Sequence, residues 1–125
     1  MSSVLVSTMA FVLLLVTTLQ LLLAMGKPFG AYTLGGYYHV LPLPLRIVSG
    51  LSSVVLLLII VVYLSHIQLI PIQWLPTTPL LWGIAIFFII NTVANMLSKS
   101  SKERRVMTPI AAFLVVGTFS LLVIT

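Results

Sequence analysis

The sequence predicts an all-α membrane protein, a bundle of four transmembrane helices with a short cytoplasmic β-hairpin loop between helices 1 and 2. Of its 125 residues, 61% are hydrophobic and only 6% are charged, whereas soluble domains carry roughly 25% charged residues. A soluble fold of this length could not bury so much apolar surface, so the solvent around the chain must be lipid. We expect a single transmembrane domain over residues 1–125.

Four apolar segments predict the spans, at about residues 4–25, 46–65, 80–97 and 108–124. Each is close to the ~20 residues that a helix needs to cross the hydrocarbon core. None shows the strong polar face of a surface helix. The first segment has no basic residues before it and is longer than the apolar core of a signal peptide, so we interpret it as a retained helix.

The charges predict the orientation, because all six basic residues belong to two alternate loops: Lys27, Arg46, Lys99, Lys102, Arg104 and Arg105. The positive-inside rule assigns these loops to the cytoplasm. The predicted location is therefore the cell membrane, with multiple passes and both termini extracytoplasmic. The formal net charge of +5 then predicts contact with the bilayer's anionic lipid headgroups and no binding of nucleic acid.

The sequence of the first cytoplasmic loop predicts a β-hairpin. Gly35-Gly36 suits a two-residue turn and separates two runs rich in strand-favouring residues, 31–34 and 37–40. The leucines and prolines of residues 41–45 then predict an extended chain up to Arg46.

The second cytoplasmic loop offers two helix starts. Ser100 and Glu103 match a capping box, and Thr108-Pro109 matches a cap followed by proline at the first helical position. We favour Thr108-Pro109 for the membrane-embedded part and allow one helical turn before it.

Polar side chains within the spans concentrate in the predicted cytoplasmic halves. They are Gln20 on the first span, Arg46, Ser49 and Ser53 on one face of the second, and Asn91 and Asn95 on one face of the third. One interpretation is helix packing by small and amide side chains, at roughly 0.6 kcal/mol per hydrogen bond. The other is a polar pocket open to the cytoplasm. The predicted ligand-binding residues are Arg46, Ser49, Ser53, Asn91, Asn95, Gln20 and His39.

Two of these residues have simpler alternatives. Arg46 is predicted at the mouth of the pocket, but taken alone it can extend to headgroups as a membrane anchor. His39 either binds a phosphate or belongs to a solvated surface. It lies across the membrane from His66, so a two-histidine metal or haem site is not expected.

The residues do not indicate catalysis. The chain has no cysteine and a single acid, Glu103, which lies outside every predicted span, whereas proton-coupled pumps usually need an acid in the membrane. No phosphate-binding loop, zinc-protease motif or Ser/His/Asp set is present. We therefore expect no enzyme, no metal and no cofactor.

Four spans in so short a chain resemble the small multidrug resistance transporters, which carry a glutamate in the first helix, where this chain has Gln20. The chain resembles more closely a group of small bacterial four-helix integral membrane proteins of unknown function. The matching segments are Gly26-Lys27-Pro28-Phe29-Gly30, Gly35-Gly36, Leu41-Pro42-Leu43-Pro44-Leu45-Arg46-Ile47-Val48-Ser49, Asn95, Ser100 to Arg104, and Pro109. This resemblance implies a bacterial membrane protein and no particular activity.

The leading functional hypothesis is a binding or accessory membrane protein that contacts anionic lipid headgroups or a partner membrane protein from its cytoplasmic side. The alternative is a small-molecule or ion transporter or channel that acts as a homo-oligomer, such as a homodimer, because one four-helix bundle has little room for a pathway. A third hypothesis, resistance to a membrane-active peptide, is compatible with the sequence but is favoured by no residue.

Overall fold

The computed structural model describes residues 2–30, 38, 40–70, 72–98 and 100–124. These residues form four helices: α1 (Ser2–Ala24), α2 (Leu43–His66), α3 (Thr77–Met96) and α4 (Ser101–Ile124). All four are long and apolar enough to cross a membrane. Even α3, the shortest at 20 residues, extends about 30 Å, which equals the thickness of a typical hydrocarbon core. The prediction of four helices, each long and apolar enough to span a membrane, is confirmed among the described residues.

The helices pack as two antiparallel hairpins. Helix α1 packs mainly on α2 and α3 mainly on α4, whereas contacts between α2 and α3 and between α1 and α4 are sparser. The ends of α1 and α3 and the starts of α2 and α4 lie at the same end of the bundle. We call it the basic end because the helix starts and the joining segments carry the lysines and arginines. The predicted cytoplasmic side is this basic end.

The half of the bundle away from the basic end forms its tightest core. The Tyr63 hydroxyl lies 2.8 Å from Thr118 Oγ1, and both residues are fully buried. Thr118 donates its single hydroxyl proton to the Leu114 carbonyl at 2.7 Å, so Tyr63 must donate to Thr118. This hydrogen bond joins α2 to α4 and therefore joins the two hairpins.

Two further contacts hold the hairpins together in the same half. A Cβ atom added to Gly117 would lie only 2.6 Å from Met9 Sδ, so the absence of a side chain at Gly117 lets α1 approach α4. At the far end, His66 Nδ1 lies 2.9 Å from Thr77 Oγ1, which connects the end of α2 to the start of α3. The hairpins are thus joined most firmly opposite the basic end.

The start of α2 differs from the prediction. The chain was expected to stay extended up to Arg46, but α2 begins at Leu43, with Pro42 as its N-cap and Pro44 in its first turn. Backbone N–H groups in the first turn of a helix have no intrahelical partner, so a proline there removes no hydrogen bond. The prediction that Pro44 excludes helix was therefore wrong.

The start of α4 also differs. The favoured start at Thr108 was wrong, because α4 begins at Ser101 and contains Pro109 in its interior. The Glu103 backbone N–H donates to Ser100 Oγ at 3.4 Å, as the capping-box alternative predicted. Proline at position 109 cannot donate to the carbonyl four residues earlier, that of Arg105, and the helix tolerates this loss two turns after its start.

The predicted hairpin loop is not supported. No strand occurs among the described residues, and Tyr38 and Val40, which were expected in its second strand, have no strand conformation. Residues 31–37, with the Gly35-Gly36 turn, and His39 lie outside the described residues. The nearby Gly30 and Leu41 are buried, so parts of the connection 25–42 pack against the helices.

The Tyr63–Thr118 bond leads to a stability prediction. We expect Tyr63→Phe to lower the free energy of unfolding by about 1 kcal/mol, because the Thr118 hydroxyl loses its donor in a buried site. Thermal unfolding in detergent, monitored by circular dichroism, measures the change. The control repeats the substitution in a Thr118→Val background. There Tyr63→Phe should lower the free energy of unfolding less than it does in the wild-type background. Equal costs in both backgrounds would show that the bond does not couple the hairpins.

Candidate functional site

A cavity of about 300 Å³ lies within the bundle, in the half nearest the basic end. All four helices line it, through Leu13, Val16 and Gln20 of α1, Val48, Leu51, Ser52, Val55 and Leu56 of α2, Phe87, Phe88, Asn91 and Asn95 of α3, and Met107, Ile110, Ala111 and Leu114 of α4. This volume is at the lower limit of the roughly 300–1,000 Å³ of ligand pockets. It is about twice the ~150 Å³ of an engineered cavity that binds benzene.

The cavity runs along the bundle axis. Its lining residues on α4 extend from Met107 to Leu114, and the rise between these two residues corresponds to about 10 Å of helix. The inner end is formed by buried apolar side chains such as Leu13 and Phe88. Thr118, which bonds to Tyr63, lies one turn beyond Leu114, so the tightly packed core closes this end.

Three carboxamides line the other end, near the basic end of the bundle. Gln20 lies one turn before the end of α1, and Asn91 and Asn95 lie in the last two turns of α3. Asn91 Nδ2 donates to the Phe87 carbonyl at 2.8 Å, and Asn95 Nδ2 donates to the Met107 carbonyl of α4 at 3.4 Å. The structure therefore brings together Gln20, Asn91 and Asn95, as the convergence of polar faces predicted.

The exposed side chains of the cavity lining all belong to α2 and α3, from which we infer a sideways opening between these two helices. These side chains are Val48, Leu51, Val55 and Phe87, whereas the lining residues of α1 and α4 are buried or half-buried. The buried residues of α3 all lie between Leu81 and Phe88, whereas Asn91 and Asn95 in its last two turns are only half-buried. The sequence predicted a pocket open to the cytoplasm, whereas the exposed lining residues point to an opening on the flank of the bundle.

Arg46 does not line the cavity. Its Nε donates to the carbonyl of Ala24, the last residue of α1, at 3.0 Å. Its guanidinium also packs on Gly26, which has a φ of +86° and where an added Cβ would lie 3.3 Å from Arg46 Cζ. A cation at a helix C-terminus satisfies a free carbonyl and opposes the negative end of the helix dipole. The prediction of Arg46 at the pocket mouth was therefore wrong, and its role is to cap α1.

The second hairpin repeats this arrangement. Arg104 Nη1 donates to the carbonyl of Ser98, just beyond the end of α3, at 2.6 Å. Arg46 is the fourth residue of α2, and Arg104 is the fourth residue of α4. A cation this close to the N-terminus of its own helix is electrostatically unfavourable. The interaction with the C-terminal end of the preceding helix compensates and explains why both arginines occupy this position. An arginine in the first turns after each hairpin connection was the sequence signal for this cap, and it was missed.

The serines of α2 divide between two roles. Ser49 and Ser53 are buried but do not line the cavity, and the Ser53 hydroxyl donates to the Gly50 carbonyl of its own helix at 2.6 Å. An added Cβ at Gly50 would contact Ala24 of α1, so this part of α2 serves helix packing. Ser52, which the sequence interpretation omitted, lines the cavity instead. His39, the remaining predicted site residue, lies outside the described residues.

The arginine caps lead to a second prediction. We expect Arg46→Gln to lower the free energy of unfolding by about 1 kcal/mol, since it removes a charged hydrogen bond and a favourable dipole contact at the end of α1. Arg46→Lys should recover only part of the lost stability, because it keeps the positive charge but its ammonium lacks the guanidinium's planar shape. The matched control is Arg105→Gln, at an exposed arginine of the same end. Equal melting temperatures for Arg46→Gln and Arg105→Gln would contradict the capping role.

No protein-family model, curated protein or solved structure matches this chain. The resemblance to small bacterial four-helix membrane proteins therefore stays a prediction. Function has to be inferred from the geometry and chemistry of the cavity between the four helices.

Proposed function

We propose that this protein is a lipid-binding membrane protein that admits a lipid from the cytoplasmic leaflet into its cavity through the opening between α2 and α3. The observation that carries the proposal is the position of that opening on the flank of the bundle. A ligand already dissolved in the bilayer can enter there without first passing through water.

The walls of the cavity suit a hydrocarbon chain. Val48, Leu51 and Val55 border the opening, and Leu13 and Phe88 form the inner end, so most of the surface that a ligand touches is apolar. The cavity is about 10 Å long, and one leaflet of the hydrocarbon core is about 15 Å thick. A full acyl chain would therefore extend out through the opening into the surrounding lipid.

The basic end would hold the protein against anionic headgroups. The side chains of Lys27, Lys102, Arg104 and Arg105 are all exposed there. Each basic residue near an anionic membrane surface contributes about 1 kcal/mol of attraction. This end is assigned to the cytoplasm by the positive-inside rule, which leaves both termini extracytoplasmic.

Transport of a small molecule or ion by a homo-oligomer remains the alternative. A pathway through a single bundle would have to pass the layer that contains Met9, Tyr63 and Thr118, and these side chains are fully buried. The described residues thus offer a cavity that is closed at its inner end. A channel would need either movement of this layer or a path between two copies of the chain.

Two adjacent alanines provide a matched test of lipid uptake. Ala111 is buried in the cavity wall, whereas its neighbour Ala112 does not line the cavity. We expect Ala111→Phe to reduce the amount of co-purified lipid per protein at least fivefold because the new ring occupies the space, and we expect Ala112→Phe to retain it. Lipids are extracted from each detergent-washed variant, and quantitative mass spectrometry measures the amount of bound lipid per protein. Undiminished lipid in Ala111→Phe would refute uptake into the cavity.

The orientation has its own test. Single cysteines introduced at the exposed positions Ser3 and Ser101 are treated with an impermeant maleimide in intact cells. We expect labelling of Ser3→Cys in intact cells and of Ser101→Cys only after permeabilisation, because Ser101 begins α4 at the basic end. The reverse pattern would place the basic end outside and contradict contact with the cytoplasmic leaflet.

A further inference from the structure

The polar end of the cavity is made of uncharged groups. Gln20, Asn91 and Asn95 supply carboxamides, and Ser52 supplies a hydroxyl. Of the described residues that line the cavity, none carries a charge. The exposed lysines and arginines lie outside it at the basic end, and Arg46 and Arg104 are engaged with carbonyls at the ends of α1 and α3.

These carboxamides retain hydrogen-bonding capacity. Each has two N–H donors and an oxygen with two lone pairs. Within the described residues, Asn91 and Asn95 each use a single N–H, the latter in a long 3.4 Å bond, and the Gln20 amide makes no hydrogen bond. Polar groups left unsatisfied in an apolar environment are costly, so a ligand that pairs with them gains free energy that a plain hydrocarbon cannot gain.

A charged headgroup does not fit this end. An anionic headgroup bound there would lose its hydration by bulk water, and none of the described lining residues carries an opposite charge to compensate. Burying a charge in this way is unfavourable by several kcal/mol. Carboxamides can donate to or accept from a carbonyl or hydroxyl oxygen without that cost. The uncharged hydrogen-bonding groups at this end of the cavity therefore favour a ligand with an uncharged polar headgroup.

We infer that the cavity selects an uncharged amphiphile, a molecule with a carbonyl or hydroxyl oxygen at one end of a hydrocarbon tail, rather than an anionic phospholipid. This inference rests on the proposed uptake of a lipid and specifies its chemical class. The oxygen pairs with Gln20 and Asn91, about one helical turn inside the bundle. The tail lies against Leu13 and Phe88 or leaves through the opening between α2 and α3. Anionic headgroups are contacted separately, by the cations outside the cavity.

Three probes with the same chain length distinguish the head chemistry: oleyl alcohol, oleate and 1-octadecene. The full-length protein, immobilised in detergent and stripped of lipid, is incubated with an equimolar mixture, washed, and extracted for mass spectrometry. We expect oleyl alcohol to be retained about tenfold more than either competitor, which corresponds to roughly one well-made hydrogen bond to an otherwise unsatisfied group. Equal or greater retention of oleate or octadecene would overturn the inference.

The variants Asn91→Leu and Gln20→Leu test whether the carboxamides cause the preference. We expect each to reduce the preference for the alcohol over the alkene to about twofold or less, while the alkene is still retained. The control is Thr18→Val, because Thr18 is exposed at a similar depth and bonds only within its own helix. An unchanged preference in both leucine variants would overturn the role of the carboxamides.

The outcomes separate this inference from the proposed function. Retention of all three probes without preference would leave lipid uptake intact and refute selection of a neutral head. Failure of wild type to retain any probe would refute lipid uptake itself and the inference with it. Circular dichroism of each variant at the assay temperature confirms that a loss of retention does not come from unfolding.

Discussion

The structure depends on where the two helical hairpins are joined. The buried Tyr63–Thr118 hydrogen bond and the contact of Met9 with Gly117 both lie in the half away from the basic end. In lipid, apolar surface alone does not drive helices together, so close packing and interhelical hydrogen bonds decide which parts of the helices meet. The cavity lies in the other half, where residues of all four helices line it.

At the basic end each hairpin is stabilised within itself. Arg46 bonds to the end of α1, and Arg104 bonds to the backbone just beyond the end of α3. These caps satisfy carbonyls that would otherwise be free, and they do so without joining one hairpin to the other. The same arginines that the positive-inside rule uses to predict orientation thus hold each hairpin closed. The space between the hairpins is left to uncharged residues.

The division between charged and neutral groups organises the functional proposal. Cations such as Arg105 are exposed at the basic end, where we propose that they meet headgroups, whereas the cavity presents carboxamides and hydrocarbon. Charge is tolerated where water and headgroups solvate it and is expensive further inside. Under the proposed function, the membrane surface and the molecule in the cavity would be recognised by different chemistry.

The sequence by itself determined the four apolar segments and the position of Gln20, Asn91 and Asn95 near the same end of their helices, because span length, hydropathy and helical periodicity are local properties of the chain. The tertiary structure decided what depends on a neighbouring helix. The position of Arg46 is explained by its hydrogen bond to the Ala24 carbonyl at the end of α1. Ser49 and Ser53 lie in the part of α2 that packs on α1, so they do not line the cavity. Which lining residues of α2 and α3 stay exposed also depends on how the four helices pack. Proline also misled the sequence interpretation at Pro44 and Pro109, because its cost depends on the helix position, which only the folded helices reveal.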